Sequence, residues 1–177
     1  RNDIVNGLVL AADGKKMRKR LKTYPAPQKV LDSHGADALR MYLINSPAVR
    51  AQPLRFEEEG VMGVVREVML PWYNALRFFA QQKDRWEQST GSAFLPDRAR
   101  ATASSNVVDV WVMAELQGLI KFVHEEMQAY RLYTVMPRLV TFIDQLTNWF
   151  VRLNRERLKG SQGEEEAVAG LCVLYEV

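Results

Sequence analysis

Six of the eight residues from Lys15 to Lys22 are basic and none is acidic. Like charges crowded in this way are relieved by an anion or by water, and a polyphosphate relieves them well. The run has a defined start. Asp13-Gly14 ahead of it is a tight-turn pair, because glycine accepts positive φ and aspartate hydrogen-bonds its own backbone. A second gathering of cations lies near the end of the chain, where Asn148, Trp149 and Phe150 are followed by Arg152, Arg155, Arg157 and Lys159. On a helix Arg152, Arg155 and Lys159 share a face, with Trp149 one turn before Arg152. Cations beside an aromatic ring suit an unstacked loop of RNA, whose phosphates need neutralising and whose bases need a surface to stack on. Each cluster also has a plain reading. The first is then a solvated basic loop; in the second Trp149 and Phe150 belong to a core, while Arg157 and Lys159 form a solvated turn favoured by the helix dipole.

Periodicity shows which elements must position these groups. Ile4 to Leu10 is rich in β-branched and aliphatic residues and stops at Asp13-Gly14, which predicts a strand, a turn and a short extended piece: a small β-hairpin leading into the basic run. Tyr24-Pro25-Ala26-Pro27 imposes extended backbone, Gln28 to His34 is a short helix stopped at Gly35, and Ala38, Leu39, Tyr42 and Leu43 mark the core side of the next. From Glu57 to about Gln82 runs a longer helix with Val61, Val64, Val65, Val68, Trp72, Leu76 and Phe79 as one apolar stripe, kinked or broken at Pro71. Lys83 to Ser105 loses periodicity and reads as a long mobile connection or a partly disordered insert.

Ser104, Ser105 and Asn106 are candidate caps for a helix carrying Val108, Trp111, Val112, Leu116, Leu119, Phe122, Val123 and Met127, with Asp109 suited to the dipole of its first turn. The chain turns around Arg131 to Thr134, where Thr134 is a candidate cap. The following helix buries Leu139, Phe142, Ile143, Leu146 and Phe150. After a break at Lys159 to Gly163, a last helix opens with Glu164-Glu165-Glu166 and carries Val168, Leu171 and Tyr175. The fold class is therefore mainly α, a small β-hairpin and basic loop followed by a helical bundle.

With 47% hydrophobic and 25% charged residues the composition is that of a soluble globular protein, and a net charge of +3 matters less than its clustering. Nucleic acid or nucleotide is the natural partner class. One cysteine, Cys172, excludes an internal disulfide, and His34 and His124 give no metal-ligand spacing, so no metal site is expected. No apolar run approaches the roughly 20 residues that span a bilayer, and the start does not resemble a signal peptide, so the expected location is the cytosol. The first residue is not Met and Ala167 to Val177 is helix-like to its end, as in an excised piece of a longer chain. Asp37 with Arg40 reads as a surface pair, His34 as support for a helix end, and His124 as solvent-facing. Glu57-Glu58-Glu59 reads as a helix start and forms no catalytic dyad.

Lys16-Met17-Arg18-Lys19-Arg20 resembles the KMSKS loop of class I aminoacyl-tRNA synthetases, and Val5-Asn6-Gly7-Leu8-Val9-Leu10-Ala11 with Asp13-Gly14-Lys15 is how that loop begins in the isoleucine enzymes. Gly35-Ala36-Asp37-Ala38-Leu39-Arg40, Asn45-Ser46-Pro47 with Arg50, Leu70-Pro71-Trp72-Tyr73-Asn74 and Leu146-Thr147-Asn148-Trp149-Phe150-Val151-Arg152 follow in the order of the eukaryotic-type cytoplasmic isoleucyl-tRNA synthetases. The resemblance covers essentially the whole chain. It implies that residues 1–50 end a class I catalytic domain and residues 51–177 form a helical anticodon-binding domain, cut short at its C-terminus. It implies ATP as substrate, with Mg2+ accompanying it, and isoleucine and its tRNA as partners of the intact enzyme. Lys16 and Lys19 then hold the catalytic positions, and Lys16, Met17, Arg18, Lys19 and Arg20 surround the ATP phosphates, with Met17 as an apolar anchor. Arg152 and Asn148 lead the tRNA contacts, with Trp149 and Arg155 beside them.

Arg18 departs from the motif, where a serine is usual, and either crowds the closed loop or adds a phosphate contact. The remaining catalytic motif, the amino-acid pocket and the editing domain of such enzymes are absent, so the piece alone is not expected to be catalytic. A multi-synthetase complex is a further expected partner of the parent. The rival readings are the valine, leucine or methionine enzymes, and a non-enzymatic basic helical RNA-binding module.

Overall fold

The computed structural model describes residues 5–21 and 23–177; Ile4, where the predicted strand begins, and Lys22, the last cation of the basic run, lie outside the described residues. The elements are β1 (Val9–Leu10), α1 (Pro27–His34), α2 (Ala36–Ile44), β2 (Leu54–Arg55), α3 (Glu58–Val64), α4 (Leu70–Thr90), α5 (Arg98–Thr102), α6 (Val107–Gln128), α7 (Leu132–Asp144), α8 (Arg155–Leu158) and α9 (Glu164–Glu176), with π-helical turns at Val65–Met69 and Gln145–Val151. They form two compact units: residues up to Leu70 with His124–Arg138, and Pro71–Val123 with Leu139–Val177.

In the first unit the expected hairpin is present as a single antiparallel bridge between Leu10 and Lys16. The ladder itself is made elsewhere. Val9 and Leu10 pair in parallel with Leu54 and Arg55 of β2. Gly7 permits this approach: its N–H donates to the Ala48 carbonyl at 2.7 Å, and a Cβ there would stand 1.9 Å from the Gln52 oxygen. The core beneath is Val30, Ala38 and Val61, flanked by Leu39, Tyr42, Phe56, Val64 and Val65. As expected, His34 supports a helix end, its Nε2 lying 3.4 Å from Glu58 Oε1, and Asp37 pairs with Arg40 at 3.5 Å on the surface.

Thr134 does not cap. α7 begins two residues earlier with Pro137 inside it, and the Thr134 hydroxyl donates to Glu126 Oε2 at 2.6 Å. The Arg131 guanidinium bonds the same carboxylate. Together the arginine, first, and the hydroxyl hold the Glu126 carboxyl down at about 2.

The second unit has the larger core, centred on the fully buried Phe150, Val112, Leu171 and Val173 from α6, the second π turn and α9. Its main departure from expectation is Lys83 to Ser105. Helix α4 continues to Thr90, supported by Lys83 and Glu87 at 3.3 Å, and Trp86 Nε1 donates to the Glu164 carbonyl at 3.3 Å. Phe94 and Ala101 are buried, and Asp97 caps α5 by accepting from Ala99 N at 2.9 Å. Three apolar anchors this far apart produce no periodic signal, so the stretch looks structureless in sequence and is not.

The π turns explain why the apolar stripe breaks. Pro71 has no N–H to give to a helical carbonyl. The disturbance is taken up one turn earlier, where the Leu70 N–H bonds the Val65 carbonyl. A π turn holds one extra residue and so rotates everything after it by about 100°. Val61 and Val68 are buried, but Trp72 and Leu76 are 55% and 62% exposed, with Ala75 turned inward instead. The second π turn acts likewise: Phe150 is buried as expected, whereas Trp149 is 57% exposed and is not the core residue of the plain reading.

Candidate functional site

The basic run is anchored at its start and again at Arg18, and the side chains of its described cations are exposed. At its start the Ala11 N–H donates to the Lys15 carbonyl at 2.9 Å and Gly14 N–H to the Ala11 carbonyl at 2.8 Å. Asp13 Oδ1 accepts from the Lys15 N–H at 3.0 Å, and that backbone bond, with the Lys15 charge, holds the Asp13 carboxyl below its usual range. Gly14 takes φ +79°, which glycine alone adopts at little cost. At the far end the Arg18 N–H donates to Thr23 Oγ1 at 2.9 Å, a tether that the sequence did not flag, and Lys19–Leu21 forms a 3-10 turn. Lys16, Arg18, Lys19 and Arg20 are exposed and Met17 is half-buried. Among the described residues none of these four cations is in an ion pair. This is an uncompensated cationic loop, suited to receive a polyphosphate.

Two other motifs singled out in sequence meet in the same unit. The Arg50 guanidinium lies 4.8 Å above the Tyr133 ring, a cation–π contact, and with Asn45, Ser46, Pro47 and Gln52 they enclose a hollow of about 160 Å³.

In the second unit the predicted RNA residues separate. Asn148, Arg152 and Arg155 line one groove of about 600 Å³, whose other wall is the Pro71, Asn74, Arg77, Phe78 and Gln81 face of α4. Three guanidinium groups and several amides face it and no carboxylate does. Asn148 is oriented by donating from Nδ2 to Asp144 Oδ1 at 2.7 Å, which leaves its own amide oxygen free to accept. Trp149 is exposed but does not line the groove, and Lys159 is paired with Glu156 at 2.7 Å. Asn74, Arg77 and Gln81 were missed. Their spacing of three and four residues is a helical polar face, hidden because the neighbouring apolar stripe was followed across Pro71 without the extra residue of the π turn.

Arg157 is the clearest correction. It is not part of a solvated turn but 3% exposed, and it grips Asp109, which is fully buried, with Nη1 and Nη2 at 2.8 and 2.9 Å. Its Nε donates to Glu166 at 2.8 Å and Nη1 also to Asn154 at 3.2 Å, while Ser104 Oγ donates to Asp109 at 2.6 Å. Burial alone would lower the guanidinium's affinity for its proton; Asp109 and Glu166 outweigh it and raise that affinity. Asp109 therefore serves as this arginine's partner rather than as a dipole residue. Among the described residues no three His, Cys, Asp or Glu side chains gather to hold a metal, and no helix is long and apolar enough to cross a membrane.

Against known proteins, residues 1–55 match the family of class I tRNA synthetases (I, L, M and V), and residues 109–177 match the anticodon-binding domain of tRNA ligases. The probable cytoplasmic isoleucine–tRNA ligase of Dictyostelium discoideum is 61% identical over 99% of this chain. The chain is homologous to the cytoplasmic isoleucine–tRNA ligases. The Arabidopsis thaliana cytoplasmic isoleucine–tRNA ligase is 55% identical over 100% of the chain. The homology is to a segment, since the chain spans 16% and 15% of the lengths of these two relatives. A crystal structure of an Agrobacterium radiobacter K84 LeuRS-tRNA-LeuAMS ternary complex shares the fold, with a TM-score of 0.60 at 22% identity over 96% of this chain and 19% of that one. The chain is mainly α with a small two-stranded sheet, as its sequence predicts.

Proposed function

We propose that the segment serves a cytosolic ATP-dependent isoleucine–tRNA ligase in two ways, as a phosphate-binding loop and as a tRNA-binding helical surface. Residues 1–50 close the catalytic domain and 51–177 belong to the anticodon-binding domain. The observation that carries the reading is the end-to-end identity of 61% with a protein named for that activity. In amino-acid activation the isoleucine carboxylate attacks the α-phosphorus of ATP and pyrophosphate leaves, so negative charge builds on the departing oxygens. Ammonium groups that meet those oxygens most strongly in the transition state speed the step without over-binding ATP. Lys16 and Lys19 have this role, with Arg18, Arg20 and Met17 completing the loop. Mg2+ arrives with ATP as part of the substrate. Partners of the intact ligase are isoleucine, ATP and tRNA, and, in a multi-synthetase complex, other ligases.

The groove of Asn148, Arg152 and Arg155 is the tRNA surface, with the exposed ring of Trp149 available for stacking nearby in sequence. Arg152→Ala and Arg155→Ala in the full-length ligase should each raise the KM for tRNA in aminoacylation by about tenfold, the loss of one charge-assisted contact. Isoleucine-dependent pyrophosphate exchange, which needs no tRNA, should be unchanged. An unaltered tRNA KM, or an equal fall in exchange, would contradict the assignment.

A further inference from the structure

Arg55 belongs to β2, yet its side chain leaves the sheet for the basic loop. Its backbone is fixed: it lies opposite Leu10 in the parallel ladder, its carbonyl accepts from the Tyr42 hydroxyl at 3.4 Å, and the next N–H, of Phe56, donates to the Leu10 carbonyl at 2.8 Å. A Cβ built on Gly14 would lie 3.2 Å from Arg55 Nε and 3.5 Å from both Cζ and Nη2. The guanidinium therefore lies across the bare α-carbon of Gly14, in the turn that opens the basic run. It is not neutralised there. Asp13, the acid of that turn, is engaged by Lys15 at N and, at 3.5 Å, at Nζ, and among the described residues Arg55 is in no ion pair.

We propose that Arg55 is a further ATP-phosphate-binding residue, acting with Lys16 and Lys19; this rests on the synthetase reading above. The lysines of the loop are point charges on long flexible stems. A guanidinium carried on a strand is already in place before the nucleotide arrives, and its planar fork matches two phosphate oxygens at once. Gly14 is part of the device, since any side chain there would push the fork away from the turn. Sequence spacing conceals this residue, because the parallel pairing of β1 with β2 is what brings it to the loop.

The test is isoleucine-dependent pyrophosphate exchange by the full-length ligase at varied ATP. Arg55→Ala should raise the KM for ATP by about tenfold and leave the KM for isoleucine and the unfolding temperature unchanged. Arg55→Lys keeps the charge and loses the fork, so a rise of about threefold is expected. It carries the test if the alanine variant fails to fold. An ATP KM within about twofold of the parent in Arg55→Ala, or equal changes for both substrates together with a lowered unfolding temperature, overturns the proposal. An unmodified ligase with no isoleucine-dependent exchange overturns the reading it rests on, and the proposal with it.

Discussion

Arg157→Met is expected to lower the stability of the helical unit by ~3–5 kcal/mol, because it leaves the fully buried Asp109 without its bidentate partner. At a few degrees per kcal/mol this corresponds to a fall of roughly 10 °C in the melting temperature, read by circular dichroism. Asp109→Leu combined with Arg157→Met should recover most of the loss, since an apolar pair of similar volume escapes the desolvation cost that the ion pair bears. Asn154 and Glu166 would lose a partner in the single variant, which adds to the effect. The consequence reaches function, because Arg157 shares the four-residue helix α8 with Arg155 of the groove. A single variant within about 1 kcal/mol of the parent would show that water reaches this network and that it is not the clamp its geometry describes.

Lys19→Ala in the full-length ligase is expected to lower the maximal rate of isoleucine-dependent pyrophosphate exchange by on the order of 10²-fold, with little change in isoleucine affinity. Lys19 is exposed and, among the described residues, bonded to no acid, so its removal should leave the unfolding temperature where it was. That separation of rate from stability is what a group acting on a departing phosphate requires. An unchanged exchange rate would remove Lys19 from the chemistry. The companion change Arg18→Ser restores the usual residue of the motif: a faster exchange would mean that Arg18 crowds the loop, and a slower one that it contributes a contact.

The basic loop is legible in the sequence because its turn and its charges are local. Asp13-Gly14 makes the turn from its own backbone, and the cations that follow are adjacent in the chain. Most helices were legible for the same reason, their apolar positions recurring within a turn. What was hidden depends on residues distant in sequence or on a change of helical phase. The parallel strand pairing that brings Arg55 to Gly14 has no local signature, and the Asp109–Arg157 grip joins two helices whose charges each look solvated when taken alone. Trp72 and Leu76 are assigned inward by a constant period that the first π turn interrupts. Asn148, Arg152 and Arg155 stand out in the sequence by charge and resemblance, and they line one surface. Its opposite wall, Asn74, Arg77 and Gln81, was read only as the back of an apolar helix.

On the reading proposed above, the helical unit reads tRNA rather than merely attracting it. Fluorescence anisotropy of this chain with isoleucine tRNA, and with the same tRNA carrying a changed anticodon, at two salt concentrations, tests it most directly. Tighter binding of the native anticodon, with a difference that persists as salt weakens both, is the expected result, since base contacts outlast counterion release. Equal affinities that vanish together at the higher salt would contradict it, and would reduce the groove of Arg152 and Arg155 to a source of charge.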